Sequence, residues 1–104
     1  MRILWTEPAI EDLHNLYGYI AKDSEIYAAS FVERIILSVE KLVNFPRLGR
    51  VVPEAELEMI RELLFQNYRI IYRLNGELIE ILTVLHGNRD LSLLNPAPWD
   101  VSSE

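Results

Sequence analysis

The spacing of hydrophobic residues changes along the chain, from a helical period in the first half to a strand-like pattern in the second. Residues 7–22 carry apolar side chains at three- and four-residue steps, which predicts an amphipathic helix. Its apolar stripe consists of Ile10, Leu13, Leu16, Tyr17 and Ile20. Thr6 is placed to cap this helix, and Pro8 suits its first turn.

A second helix shows the cleanest periodicity of the chain. It is expected to follow a cap at Asp23 or Ser24 and to end near Asn44-Phe45-Pro46, since the residue before a proline is biased away from the α conformation. Its apolar positions are Ala28, Phe31, Val32, Ile35, Val39, Leu42 and Val43. Two antiparallel helices joined by a tight turn are therefore predicted.

A β-hairpin is predicted around Asn75-Gly76, which separates two strongly β-forming runs, 68–74 and 77–86. Counting back from that turn places Leu74 opposite Glu77, Tyr72 opposite Ile79, Ile70 opposite Ile81 and Tyr68 opposite Thr83. The predicted core face then consists of Ile70, Tyr72, Ile79, Ile81 and Leu85. The other face mixes charges with aliphatic side chains, as a binding surface would: Arg69, Ile71, Arg73, Leu78, Glu80, Leu82, Val84 and His86.

Short apolar runs at 2–6 and 59–65 read as further strands, which completes a β-α-α-β-β-β order. The fold class expected is α+β, with two layers: a helical hairpin packed on a mainly antiparallel sheet. One domain over residues 1–91 is expected, followed by an irregular or disordered tail over 92–104. In that tail Leu93, Leu94 and Trp99 are able to dock or to bind a partner.

Composition excludes several classes of site. The chain has no cysteine, so it has neither a disulfide framework nor a thiolate metal site. His14 is expected to be structural or exposed, and Glu54, Glu56 and Glu58 are expected in a solvated loop. No metal and no cofactor are expected. A cytoplasmic protein without a membrane span is expected, because no run reaches roughly 18 apolar residues.

The formal net charge is −6, so the overall field does not attract nucleic acid, and direct nucleic-acid binding is not expected outside a complex. Candidate chemistry is confined to the mixed face of the hairpin and its flanks: Arg61, Arg69, Arg73, Glu80, His86 and Arg89. Arg69 and Arg73 flank Glu80, which is consistent either with a surface ion-pair cluster or with a functional patch. On this face only His86 titrates near neutral pH.

These residues together resemble the RelE/ParE superfamily of bacterial type II toxins. The resemblance rests on the element order, Pro46-x-x-Gly49-Arg50, Arg61, the run Tyr68-Arg69-Ile70-Ile71-Tyr72, and Leu85-His86-Gly87-Asn88-Arg89-Asp90. It implies a small toxin of a toxin–antitoxin (plasmid stabilisation) system, held inactive by a cognate antitoxin protein encoded beside it.

The superfamily divides into RelE-like members, which cleave mRNA on the ribosome, and ParE-like members, which poison DNA gyrase. No tyrosine follows Arg89, and an acidic stretch, 54–58, replaces the lysine-rich loop typical of ribosome-binding members. The ParE-like branch is therefore favoured, with gyrase as the target, no catalytic residues, and the six candidates above as contacts for the target or the antitoxin. The alternative is an mRNA endoribonuclease that uses Arg69, His86 and Arg89; a third possibility is a chain with this fold that has lost toxicity.

Overall fold

The structure is a computed structural model that describes residues 1–100. Two helices, α1 (Glu7–Ala21) and α2 (Glu25–Glu40), follow the first strand of a five-stranded sheet. The strands are β1 (Arg2–Trp5), β2 (Arg50–Val51), β3 (Ile60–Phe65), β4 (Tyr68–Asn75) and β5 (Leu78–His86). Short 3-10 turns lie at Lys41–Val43, Leu91–Leu93 and Pro98–Asp100. The predicted two-layer α+β class is confirmed, and β2 is a strand that the sequence did not indicate.

The two helices begin at the predicted residues but for different local reasons. Ser24 caps α2, since its hydroxyl accepts a hydrogen bond from the Tyr27 amide at 3.1 Å. Thr6 precedes α1, yet its hydroxyl makes no capping bond and instead donates to the Ile81 carbonyl at 2.6 Å. The predicted Thr6 cap is therefore wrong, and this side chain fastens the start of α1 to β5.

The strands are ordered β1-β5-β4-β3-β2, with β1 parallel to β5 and the remaining neighbours antiparallel. Asn75 pairs with Leu78, so the hairpin turn contains Gly76, at φ +62°, and Glu77. The predicted register is thus wrong by two residues, and Tyr72 lies opposite Ile81 rather than Ile79. Because side chains alternate with a period of two, this shift leaves Arg69 and Arg73 on the face away from the helices, as predicted.

A β-bulge at Leu82 interrupts the alternation of β5. Tyr72 pairs with Ile81 whereas Ile71 pairs with Thr83, which leaves Leu82 as the additional residue. Beyond it the faces exchange: Val84 packs in the core under the helices, and Leu85 packs on the opposite side. The predicted faces of Leu85, Val84 and His86 are therefore wrong.

The face of the sheet covered by the helices, here the helix-side face, carries the larger core. Tyr72, Ile79 and Ile81 are fully buried there, in one cluster with side chains of both helices. The buried side chains of α2 are Ala28, Phe31, Ile35 and Val39. From α1, Leu13 and Leu16 are buried, whereas Ile10 and Tyr17 remain about two-fifths exposed at the margin. Each buried aliphatic side chain contributes about 1.5–3 kcal/mol.

The opposite surface, here the far face, is also covered. A second apolar cluster contains Val52, Ile60, Ile71, Leu82, Leu85 and Leu91, with Ala55, Leu94 and Trp99 packed on it. The covering residues come from the loop before β3 and from the C-terminal segment, residues 91–99. Residues 101–104 of the predicted tail lie outside the described residues.

Close packing against β3 and β4 requires a glycine at position 49. A Cβ atom there would lie 2.4 Å from the Glu62 carbonyl oxygen and 2.7 Å from the Tyr72 hydroxyl. We expect Gly49→Ala to lower the free energy of unfolding by about 1–3 kcal/mol through overpacking. Urea denaturation followed by circular dichroism measures this change.

Gly18→Ala is the matched control for that experiment. Gly18 lies inside α1 with no heavy atom within 4 Å of an added Cβ, so alanine should raise the free energy of unfolding by about 0.5–1 kcal/mol. Changes of the same sign in the two variants would contradict the packing described for Gly49.

Candidate functional site

Arg69 is the centre of an ion-pair network on the far face, formed by Arg50, Glu54, Glu62 and Arg69, in which Arg69 and Glu62 are buried and Arg50 is exposed. The Arg69 side chain is 7% exposed, and Nε donates to Glu62 Oε1 at 2.6 Å. The two terminal nitrogens donate to the carboxylate of Glu54 at 3.0 and 2.9 Å. Glu62 is itself fully buried and also accepts from Arg50 at 2.5 Å. Each buried charge therefore has an opposite charge beside it.

The network shifts the protonation equilibria of its members. The hydrogen bonds from Arg69 hold the pKa of Glu54 at about 2, although burial of the carboxyl acts in the opposite direction. Glu54 and Glu62 together raise the pKa of Arg69 above its ordinary value, with Glu54 the larger cause. The expectation that Glu54 belongs to a solvated loop is wrong, because its carboxylate neutralises a buried guanidinium.

Arg61, Arg73 and Glu80 also lie inside the fold. Arg61 donates to the Gly49 carbonyl at 2.8 Å and forms an ion pair with Glu58, which in turn binds Arg47. Arg73 forms the predicted ion pair with Glu80, at 2.8 Å, and Glu80 is 1% exposed. The prediction that Arg69 also flanks Glu80 is wrong, because Arg69 pairs with Glu54 and Glu62.

Four of the six predicted contact residues, Arg61, Arg69, Arg73 and Glu80, thus stabilise the sheet and its loops. Arg61, Arg69 and Glu80 are buried, and Arg73 is partly buried. Tyr72 fastens the segment around Gly49 to β4. Its hydroxyl donates to the Pro46 carbonyl at 2.8 Å and accepts from the Gly49 amide at 3.0 Å. Burial raises the pKa of Tyr72.

His86 has a different environment, on the opposite side from the Arg69 network. The Leu82 bulge brings its ring beside Tyr68, edge to face, with ring centroids 5.5 Å apart. Nδ1 accepts a hydrogen bond from the Asn88 amide at 3.2 Å. In the neutral imidazole this leaves Nε2 as the nitrogen that carries the proton.

Two open clefts meet at Tyr68 and His86. The larger, about 640 Å³, is bordered by the polar side chains of Gln66, Asn67 and Asn88 and, from the ion-pair network, by Arg50, Glu54 and Arg69. The smaller, about 400 Å³, is bordered by Asp12, Asn15, Tyr19 and Arg89. Of the six predicted contact residues, His86 and Arg89 are the two that the structure leaves exposed, and both border the smaller cleft.

Asp12 positions this end of β5, and sequence reasoning missed it. Its carboxylate accepts the Thr83 hydroxyl and, at 3.0 Å, the Val84 amide, so it fastens α1 to β5 next to the bulge. Tyr68 was likewise missed as the neighbour of His86. Neither could be found from alternation, because the residues from Leu78 to Leu85 are mostly apolar at odd and even positions alike.

The charged groups of this region are largely paired with one another. Each nitrogen of the Arg69 guanidinium donates to a carboxylate, so its charge is already neutralised within the fold. Within residues 1–100, no group of three or more histidine, aspartate or glutamate side chains is placed to hold a metal ion. The helices of the same described part are too short or too polar to cross a bilayer.

Comparison with known proteins gives a consistent result over most of the chain. Residues 3–91 match the family model described as the ParE toxin of the type II toxin–antitoxin system parDE. Toxin ParE3 of Caulobacter vibrioides is 31% identical over 93 residues, which are 88% of this chain and 91% of that protein. Y4kP of Sinorhizobium fredii is 37% identical over 90 residues, 85% of this chain and 90% of that protein.

Solved structures show the same similarity. The chromosomal ParDE toxin–antitoxin system from P. aeruginosa contains a chain that matches with a TM-score of 0.70 at 26% identity, covering 83% of this chain and 95% of that one. The toxin–antitoxin complex RelBE2 from Mycobacterium tuberculosis matches with a TM-score of 0.56 at 28% identity, covering 82% and 95%.

The lowered pKa of Glu54 makes stability depend on pH in a defined direction. A carboxyl with a pKa of about 2 in the folded chain and 4.5 when unfolded stabilises the fold above pH 4.5, and this contribution disappears as the pH falls toward 2. We expect Glu54→Gln to cost about 1–3 kcal/mol at pH 7 and progressively less between pH 4.5 and 2.

Urea denaturation at a series of pH values measures this difference, with Glu11→Gln on the exposed side of α1 as the control. A Glu54→Gln penalty that stays constant from pH 7 to pH 2 would show that the carboxylate charge does not contribute.

Proposed function

This chain belongs to the ParE toxin family of type II toxin–antitoxin systems, within the RelE/ParE superfamily, and on that premise we propose that it poisons DNA gyrase by binding to it. We further propose that a cognate antitoxin neutralises it and that it acts in the cytoplasm. The observation that carries the proposal is the match over residues 3–91 to the ParE toxin family, the branch for which the resemblance implies gyrase as the target.

The geometry of the three candidate ribonuclease residues supports binding rather than RNA cleavage. Cleavage through the 2′-hydroxyl needs one group to take a proton, another to give one, and cations that stabilise the phosphorane. Arg69 and His86 border the same larger cleft, but Arg69 is paired with Glu54 and Glu62, and His86 packs on Tyr68. Arg89 is then the one exposed arginine of the three candidates, and a single arginine would stabilise the charge of a phosphorane transition state only weakly.

The charge distribution supports the same choice. A ribosome-bound nuclease meets a dense phosphate surface, which attracts cations and repels carboxylates. Here the net charge is −6, and the arginines of the far face are neutralised by buried glutamates. The exposed polar residues that border the two clefts include His86, the arginines Arg50 and Arg89, and several amides, and a polar rim of this kind is typical of a protein–protein interface.

The proposed gyrase contact is tested with Arg89→Ala. Arg89 is exposed at the mouth of the smaller cleft, so its loss should weaken inhibition of supercoiling about threefold to tenfold, as for removal of one interface arginine, without unfolding the chain. Arg2→Ala, an exposed arginine at the start of β1, is the matched control and should inhibit like the native chain. Supercoiling of relaxed plasmid gives the concentration of half-inhibition.

The same preparations decide between the two activities. Primer extension on ribosome-bound mRNA should show no cuts with the native chain. Codon-positioned cuts that His86→Ala abolishes, together with unaffected supercoiling, would contradict the gyrase proposal and favour the ribonuclease. Arg73→Ala is unsuitable as a binding probe, because it removes the ion pair of the buried Glu80 and should destabilise the fold.

The proposed antitoxin has exposed apolar surface to cover. Phe45, Leu48 and Met59 are 64%, 53% and 42% exposed, and they line two adjoining shallow grooves of about 350 and 410 Å³ beside Pro46 and Arg47. Solvent-exposed apolar groups of this size are typical of sites that another protein covers. In the M. tuberculosis RelBE2 structure the related toxin is bound to an antitoxin.

Binding of the antitoxin should raise the thermal stability of the toxin by mass action. At 100 times the dissociation constant the gain is about 2.7 kcal/mol, so the melting temperature should rise with antitoxin concentration. Differential scanning fluorimetry of the toxin with the product of the adjacent gene, and growth of cells that express both, measure this effect. No binding and no rescue of growth by that product would remove the support for neutralisation.

A further inference from the structure

The C-terminal segment lies on the far face of the sheet and beyond the residues that match the ParE family, which end at residue 91. Within the described residues the segment forms no strand, and its regular structure consists of two 3-10 turns. Its position is therefore fixed by side-chain contacts with the sheet rather than by strand pairing.

Three apolar side chains anchor the segment. Leu91 is fully buried, and Leu94 and Trp99 pack on the same cluster of Val52, Ile71, Leu82 and Leu85. Leu93, between the anchors, is 80% exposed. The spacing of buried and exposed residues is that of a peptide that places selected side chains into a surface.

The backbone of the segment is held by charged groups at both ends. Arg73 donates to the Trp99 carbonyl at 3.1 Å, and Arg69 donates to the carbonyl of Arg89, just before the segment, at 3.4 Å. Glu54 accepts from the Leu91 amide at 3.4 Å. A guanidinium on a carbonyl and a carboxylate on an amide bind peptide backbone whatever its side chains, and the ion pairs with glutamates orient both arginines for this task.

We propose that the far face is a peptide-binding site and that residues 91–99 occupy it in cis as a tethered ligand. The apolar cluster receives the leucine and tryptophan anchors, and the arginines recognise the backbone. While the segment is bound, this face is closed to other partners. The proposal is independent of gyrase and of the antitoxin.

The first test uses the full-length chain with Trp99→Ala, and Leu93→Ala as the matched control. Loss of the tryptophan anchor should free the segment without unfolding the domain, so the Leu91 amide should exchange with deuterium about tenfold faster. Leu93→Ala should leave that rate unchanged, since Leu93 is exposed. Equal exchange rates in Trp99→Ala and the native chain would overturn the proposal.

The second test adds a synthetic peptide of residues 89–100 to the full-length Leu94→Ala/Trp99→Ala chain. Calorimetry should show binding to this variant and at least tenfold weaker binding to the native chain, whose own segment competes. Binding to neither chain, or to both equally, would contradict a peptide site. Loss of the circular dichroism signal in the double variant would show instead that the segment is an integral part of the core, which also overturns the proposal.

Discussion

Burial of charge on the far face is the constraint on which the rest of this structure depends. A guanidinium as buried as that of Arg69 is tolerated only beside carboxylates, because desolvation costs several kcal/mol per ion. Glu62 comes from the neighbouring strand β3, and Glu54 comes from the loop before it. The requirement for the second carboxylate therefore fixes the path of that loop over the sheet, and the covered face in turn supports the C-terminal segment.

The sequence predicted the two helices and the order of the elements apart from β2. It also predicted the faces of β4, because Ile70, Tyr72 and Leu74 alternate with Arg69 and Arg73. The end of β5 could not be predicted. Leu82, Val84 and Leu85 are apolar on both faces, so alternation contains no signal for a bulge, and one additional residue exchanged the faces of everything after it. Alternation could not locate the turn either, because a shift of two residues, which pairs Asn75 with Leu78, leaves every residue before the bulge on its predicted face.

The site was harder to predict than the fold. A sequence shows that arginines and glutamates are present, but pairing depends on contacts between distant positions, such as Glu54 with Arg69 and Arg61 with the Gly49 carbonyl. In a sequence, an arginine that alternates with apolar residues is equally consistent with a contact to a partner and with one half of a buried ion pair. Only the exposure of His86 and Arg89 separates them from the other four candidates.

Several residues on which the family resemblance rests have structural roles in this chain. Gly49, Arg61, Arg69 and Tyr72, which carried the resemblance, all make buried contacts that hold the loop before β3 against the sheet. In this chain these residues therefore stabilise the scaffold. By contrast, His86 and Arg89 are exposed beside the Tyr68–His86 junction, where a side chain can change without removing a buried charge.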